Sequence, residues 1–206
     1  MKNYFFRWLV VIISGTLWVV LNGCTSSPRA KFYLLSTPAT ESPEANASAD
    51  NRCLSIGVGP INIPDYLDRP QIVTRTTPNE ISLAEYDRWS ESLKDNITRV
   101  LAKNLSVLLC TKTIMVFPWK GGTPLDYRIE MRVLRLDGSL GGNVFLEASW
   151  IVLSGDGKKM LFVKESNFTE ATGGKDYNSL VGAQSRALHQ LSGEIAEALR
   201  NLSKES

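Results

Sequence analysis

Few side chains in this 206-residue sequence have the type and spacing that reaction chemistry requires: three cysteines, one histidine and scattered acids. Cys24, Cys53 and Cys110 lie far apart, and no second histidine accompanies His189, so the ligand set of a zinc site is missing and no metal is expected. His189 follows Leu188 in a helical run, where a helix-surface or half-buried place accounts for it. None of the serines sits in a G-x-S-x-G elbow. Ser154-Gly155-Asp156-Gly157 reads as a hairpin turn. Glu165 and Glu170 are the kind of acid pair that glycoside hydrolysis uses, but the polar face of a strand carries such residues routinely. Gly57 and Gly59 open a G-x-G, yet the third glycine of G-x-G-x-x-G would fall on Asn62, and Pro60 breaks the helix that must follow. The expectation is a protein without catalysis.

Cys24 is the one cysteine whose surroundings specify a reaction. Lys2 and Arg7 precede an apolar run, Trp8 to Leu21 (WLVVIISGTLWVVL). At 1.5 Å per residue these roughly 14 residues are too short for a hydrocarbon core of about 30 Å, and they have the length of a signal-peptide core. Leu21-Asn22-Gly23-Cys24 resembles the lipobox of bacterial lipoproteins. In that pathway the thiol receives a diacylglycerol, cleavage occurs before the cysteine, and the new amine is acylated. The resemblance implies a signal peptide over residues 1–23 and a lipidated tether over 24–30. The S-diacylglycerol and N-acyl chains on Cys24 would be the only added groups, with no cofactor. Thr25 stands where an aspartate would resemble an inner-membrane retention signal, which implies the outer membrane, facing the periplasm. The alternative is an uncleaved anchor with an incidental cysteine.

Cys53 and Cys110 are then an even pair in an oxidising compartment. A disulfide closing about 58 residues would contribute on the order of 4 kcal/mol. Two buried free thiols are the other possibility, because sequence does not bring two Cα atoms together. Without Lys2 and Arg7 the chain holds 21 basic and 21 acidic side chains (23 − 2 against 21). This neutral body argues against nucleic acid as a partner.

The elements that must position these groups follow from periodicity. Residues 31–206 read as a single periplasmic domain. Phe32 to Leu35 is a short strand, and residues 38–52, which lack large apolar side chains, read as a mobile loop. Leu54 to Ile63 is a strand with an irregularity at Gly59-Pro60, followed by Gln71 to Arg75 and a third short strand over Glu80 to Leu83. A helix capped by Asp87 or Ser90 carries Trp89, Leu93, Ile97, Val100, Leu101, Leu105 and Leu108 as one stripe. Four strands follow over Ile114–Phe117, Tyr127–Leu136, Val144–Leu153 and Met160–Thr169, the last three as a meander with turns at Asp137-Gly138 to Asn143 and at Ser154 to Gly157. Ile129, Met131, Val133 and Leu134 are the apolar set of the second of these. A last helix, capped by Asp176 or Asn178, has the stripe Leu180, Ala183, Ala187, Leu188, Leu191, Ile195, Leu199 and Leu202. The predicted class is α+β, two layers, with a mixed, mostly antiparallel sheet and two amphipathic helices on one face.

The unusual stretch is Pro60 to Trp89. Tyr66, Leu67, Arg69, Pro70, Tyr86, Arg88 and Trp89 put aromatic and arginine side chains in turns and at a helix entrance, and such types are enriched among interface anchors. Leu67 and Trp89 are equally readable as core. Tyr66, Arg69 and Arg88 are expected to face a partner.

The segments IGVGPINIPDYLDRPQIVTR, NEISLAEYDRWSESLKDNITRVLAKNLSVLL, VFPW and LVGAQSRALHQLSGEIAEAL, with the lipobox and FYLL before them, resemble the PqiC (YmbA) family, the auxiliary lipoproteins of ABC-type and MCE transport systems. The resemblance spans most of residues 31–202. It implies an outer-membrane lipoprotein in an intermembrane lipid transport system, with the MCE-domain protein PqiB and the membrane protein PqiA as partners. Only Cys24 carries over with a chemical role. A homo-oligomer, possibly a closed ring, would suit tube-shaped partners. The alternative is a structural or assembly lipoprotein of another outer-membrane complex.

Overall fold

The computed structural model describes residues 28–37, 53–119 and 124–205. The expected signal peptide over residues 1–23, Cys24 and the expected loop over 38–52 lie outside these residues. From Lys31 onward the chain forms one unit, with the order β1 (Lys31–Tyr33), β2 (Leu54–Asn62), β3 (Gln71–Thr77), β4 (Glu80–Trp89), α1 (Leu93–Leu108), β5 (Thr111–Val116), β6 (Tyr127–Gly138), β7 (Asn143–Ser154), β8 (Met160–Ala171) and α2 (Tyr177–Glu205). This is the expected α+β class, but the strands divide between two mixed sheets, β5-β2-β6-β7-β8 and β1-β4-β3. The long β6–β7 and β7–β8 ladders are antiparallel, whereas β1–β4, β2–β5 and β2–β6 are short and parallel.

Alternation drives the larger sheet. Ile129, Met131 and Val133 of β6, and Val144, Leu146, Ala148, Trp150 and Val152 of β7, are buried under the helices. Both helices lie on this face. Leu101, Leu105, Leu188, Leu191 and Ile195 are fully enclosed, and Asn104 Nδ2 donates to Ser192 Oγ at 2.9 Å across the helix pair. Leu35 wedges in beside them, its N–H donating to Asn96 Oδ1 at 2.7 Å, while the Ser36 N–H donates to Ser185 Oγ. Trp119 closes part of the opposite face. Its ring packs so tightly on Gly57 that a Cβ there would lie 2.8 Å from it, so β2 requires glycine at that point.

Three readings are corrected. Glu80 begins a strand that continues to Trp89, because the Trp89 N–H donates to Pro70 O at 2.7 Å and the Ser90 N–H to Tyr33 O at 2.9 Å. The helix therefore starts only at Leu93, after Ser92, and neither Asp87 nor Ser90 caps it. Leu134 is exposed instead of apolar core: a bulge between Val133 and Arg135 adds a residue to β6, so that Leu136 again faces inward, opposite Leu146. Asp137-Gly138 is the end of β6 and not a turn, and Asp137 is completely buried. At α2, Asp176 is the cap, accepting from the Ser179 N–H at 2.8 Å, while Asn178 lies inside the helix.

Candidate functional site

The 60–89 stretch divides into three environments. Leu67 and Trp89 are core, 2% and 6% exposed, with the Leu67 N–H donating to Pro64 O across the turn. Tyr66 does not face outward as expected. Its hydroxyl donates to Asp137 Oδ2 at 2.9 Å, and the same carboxylate receives Arg75 Nε at 3.0 Å, Arg75 Nη2 at 2.7 Å and Arg135 Nε at 2.9 Å. Burial works against the charge of Asp137, but the bonds from Arg75, Arg135 and Tyr66 outweigh it and hold its pKa below the ordinary value. Burial, with the bond to Asp137, pushes the Tyr66 hydroxyl up to about 12. This carboxylate joins the loop before β3, β3 itself and β6, and so docks the small sheet onto the large one.

The third environment is surface. Pro70 and Arg88 are exposed, and Tyr86 and Arg69 are half-buried. Arg88 is in register with Gln71 on one side and with Phe32 on the other. Tyr86 is two residues from Arg88 along β4, past the register irregularity that separates Leu83 from Arg88. Phe32 is 64% exposed. Sequence reading missed it as a surface residue, because FYLL carries no alternation to show which of its side chains points outward. Arg69 turns partly inward, and its Nε finds no acceptor among the described residues. The resulting patch, Pro70, Tyr86, Arg88 and Phe32, combines aromatic rings, a guanidinium and rigid strand backbone. That chemistry suits recognition.

The groups weighed for catalysis stay apart. Glu170 accepts from Arg186 Nε at 2.9 Å and clamps β8 to α2. Glu165 is five positions from it along β8, an odd offset, and so lies on the opposite face. His189 is half-buried, and its Nδ1 has no hydrogen-bond partner among the described residues. No group of three or more metal-ligating side chains occurs among the described residues. Ser154 to Gly157 forms the hairpin turn, with the Gly157 N–H donating to Ser154 O at 2.7 Å. Cys53 and Cys110 are joined by a disulfide, with 4.6 Å between their Cα atoms, where β2 and β5 begin side by side. Cys24 lies outside the described residues.

The family described as ABC-type transport auxiliary lipoprotein component matches residues 33–196. Two curated relatives, each named intermembrane transport lipoprotein PqiC, from Escherichia coli K12 and Shigella flexneri, are 27% identical to this chain over 146 residues, which cover 71% of it and 73% of each relative. The solved structure of a Xanthomonas campestris protein of the family DUF330 superposes with a TM-score of 0.67 at 15% identity, covering 84% of this chain and 99% of that one. This last likeness shows that the fold is shared.

Proposed function

Because the chain belongs to the ABC-type transport auxiliary lipoprotein family, a family of membrane-anchored proteins, we propose that it is the outer-membrane, periplasm-facing member of an intermembrane lipid transport system and acts by docking, without catalysis. The observation that carries the reading is the family match over residues 33–196, which takes in both sheets and most of the two helices. The naming of the two relatives as intermembrane transport lipoproteins supports it. The docking surface is the outward patch of Pro70, Tyr86 and Arg88, and the partners are an MCE-domain protein and its integral membrane companion. Cys24 bears the lipid, and copies of the chain assemble into a closed ring.

Affinity purification of the full chain from native membranes tests the reading. Recovery of an MCE-domain protein, lost on Arg88→Glu, is the expected result. Recovery of a β-barrel complex instead would make the chain an assembly lipoprotein. Cys24→Ala should remove the acyl mass and outer-membrane fractionation while leaving the fold intact. Native mass spectrometry in detergent reads the ring.

A further inference from the structure

At one end of the domain β5 runs out into an apolar tip. Val116 and Phe117 are consecutive and 45% and 46% exposed, and exposed Pro118 follows. They border a slot of about 230 Å³, walled on one side by Pro60 and Ile61 of β2 and on the other by Lys94, Thr98 and Arg99 of α1. Arg99 is paired with Glu91 at 2.5 Å. Lys94 is exposed and forms no ion pair among the described residues. Asp95 is the acid that remains on the rim. Exposed large apolar side chains beside an unpaired lysine are the composition of a surface that seats in a bilayer interface.

The position of the tether selects the bilayer over a protein partner. Tyr33 pairs with Trp89, and Trp89 leads through Ser92 into α1, whose first turns wall the slot. Lys31, where the tether enters the domain, is two residues before Tyr33. Lys31 is seven positions along the chain from Cys24, a reach of at most about 25 Å. The domain, with a radius of gyration near 16 Å, is about 40 Å across. A leash shorter than the domain keeps its far end off the membrane, and the tip, which the chain reaches from Tyr33 through Trp89 and the first turns of α1, is not at that far end.

We propose that this end of the domain rests on the membrane that carries the lipid anchor, with Val116 and Phe117 entering its interfacial layer and Lys94 facing anionic headgroups. The proposal depends on lipidation of Cys24. The test uses the acylated full-length product in vesicles of phosphatidylethanolamine and phosphatidylglycerol with brominated acyl chains, in a Trp119→Phe background. There the remaining domain tryptophans, Trp89 and Trp150, are buried. An added Phe117→Trp substitution should place an indole that loses most of its fluorescence to bromine, whereas Val163→Trp, at an exposed position on β8, should keep it. Equal loss at both positions, or no loss at Phe117→Trp, overturns the seat. Intact mass of the same sample reads acylation separately. An unacylated product removes the lipoprotein reading, and an acylated product without quenching removes only this one.

Discussion

In the five-stranded sheet and its helices, inward positions are filled mainly by aliphatic side chains and one tryptophan. The three-stranded sheet sends Ile72, Val73, Ala84 and Trp89 into the same core, and adds to them the buried carboxylate of Asp137 and the groups that hold it, Arg75, Arg135 and Tyr66. The first region draws stability from area removed from water, which is non-directional and tolerant of small shifts. The second depends on the geometry of four hydrogen bonds around one charge that cannot be left unpaired. With Ala84 and Trp89 turned inward, Arg88 is left exposed on β4 and Tyr86 half-buried.

The largest effect should come from the covalent link in the apolar region. Replacing Cys53 and Cys110 with serine is expected to lower stability by about 4 kcal/mol in a urea titration, with the larger sheet losing cooperativity at the β2–β5 edge first. Leu101→Ala and Ile195→Ala, both at fully enclosed positions, should each cost about 3.5 kcal/mol and leave the surface patch native.

Asp137→Asn should cost about 3 kcal/mol, but with a different signature: faster amide exchange in β3 and β4 while β6–β8 stay protected. Uniform acceleration across both sheets would abolish the distinction between the regions. The pH limbs sharpen it. Asp137 has a lowered pKa in the fold, so its contribution is present above the unfolded carboxyl value near 4 and is lost as pH falls through the folded value. Tyr66 has a raised one, so its contribution is present below 10 and is lost as pH rises toward about 12. Tyr66→Phe should cost about 1 kcal/mol, flatten the alkaline limb and, because Asp137 loses one of its donors, move the acid limb slightly to higher pH in a pH series of thermal melts. The smallest change in stability is expected for Arg88→Ala, within about 0.5 kcal/mol, with at least a tenfold loss of partner capture.

The architecture of the apolar region is readable locally because each of its decisions is local. Ile129, Met131 and Val133 alternate, and Leu93, Ile97, Leu101 and Leu105 recur every four residues, so each segment declares its own buried side. The candidate site was legible only in part. Leu67 and Trp89 look like anchors in sequence, because aromatic and large aliphatic residues serve cores and interfaces alike. Tyr66 was misassigned because its partner, Asp137, is 71 residues away. Asp137 itself looks like the start of a turn until the bulge at Leu134 is known.

Taken alone, the sequence determined the two helical stripes and most strand faces of the larger sheet, and it carries no familiar catalytic motif, all of which are properties of neighbouring residues. Tertiary structure alone decided that the strands split into two sheets, that β4 outlasts its hydrophobic pattern, that Cys53 meets Cys110, and which of Tyr66, Tyr86 and Arg88 faces solvent. Those outcomes depend on pairings between residues tens of positions apart, and a charge such as Asp137 enters the interior only where several distant donors converge on it.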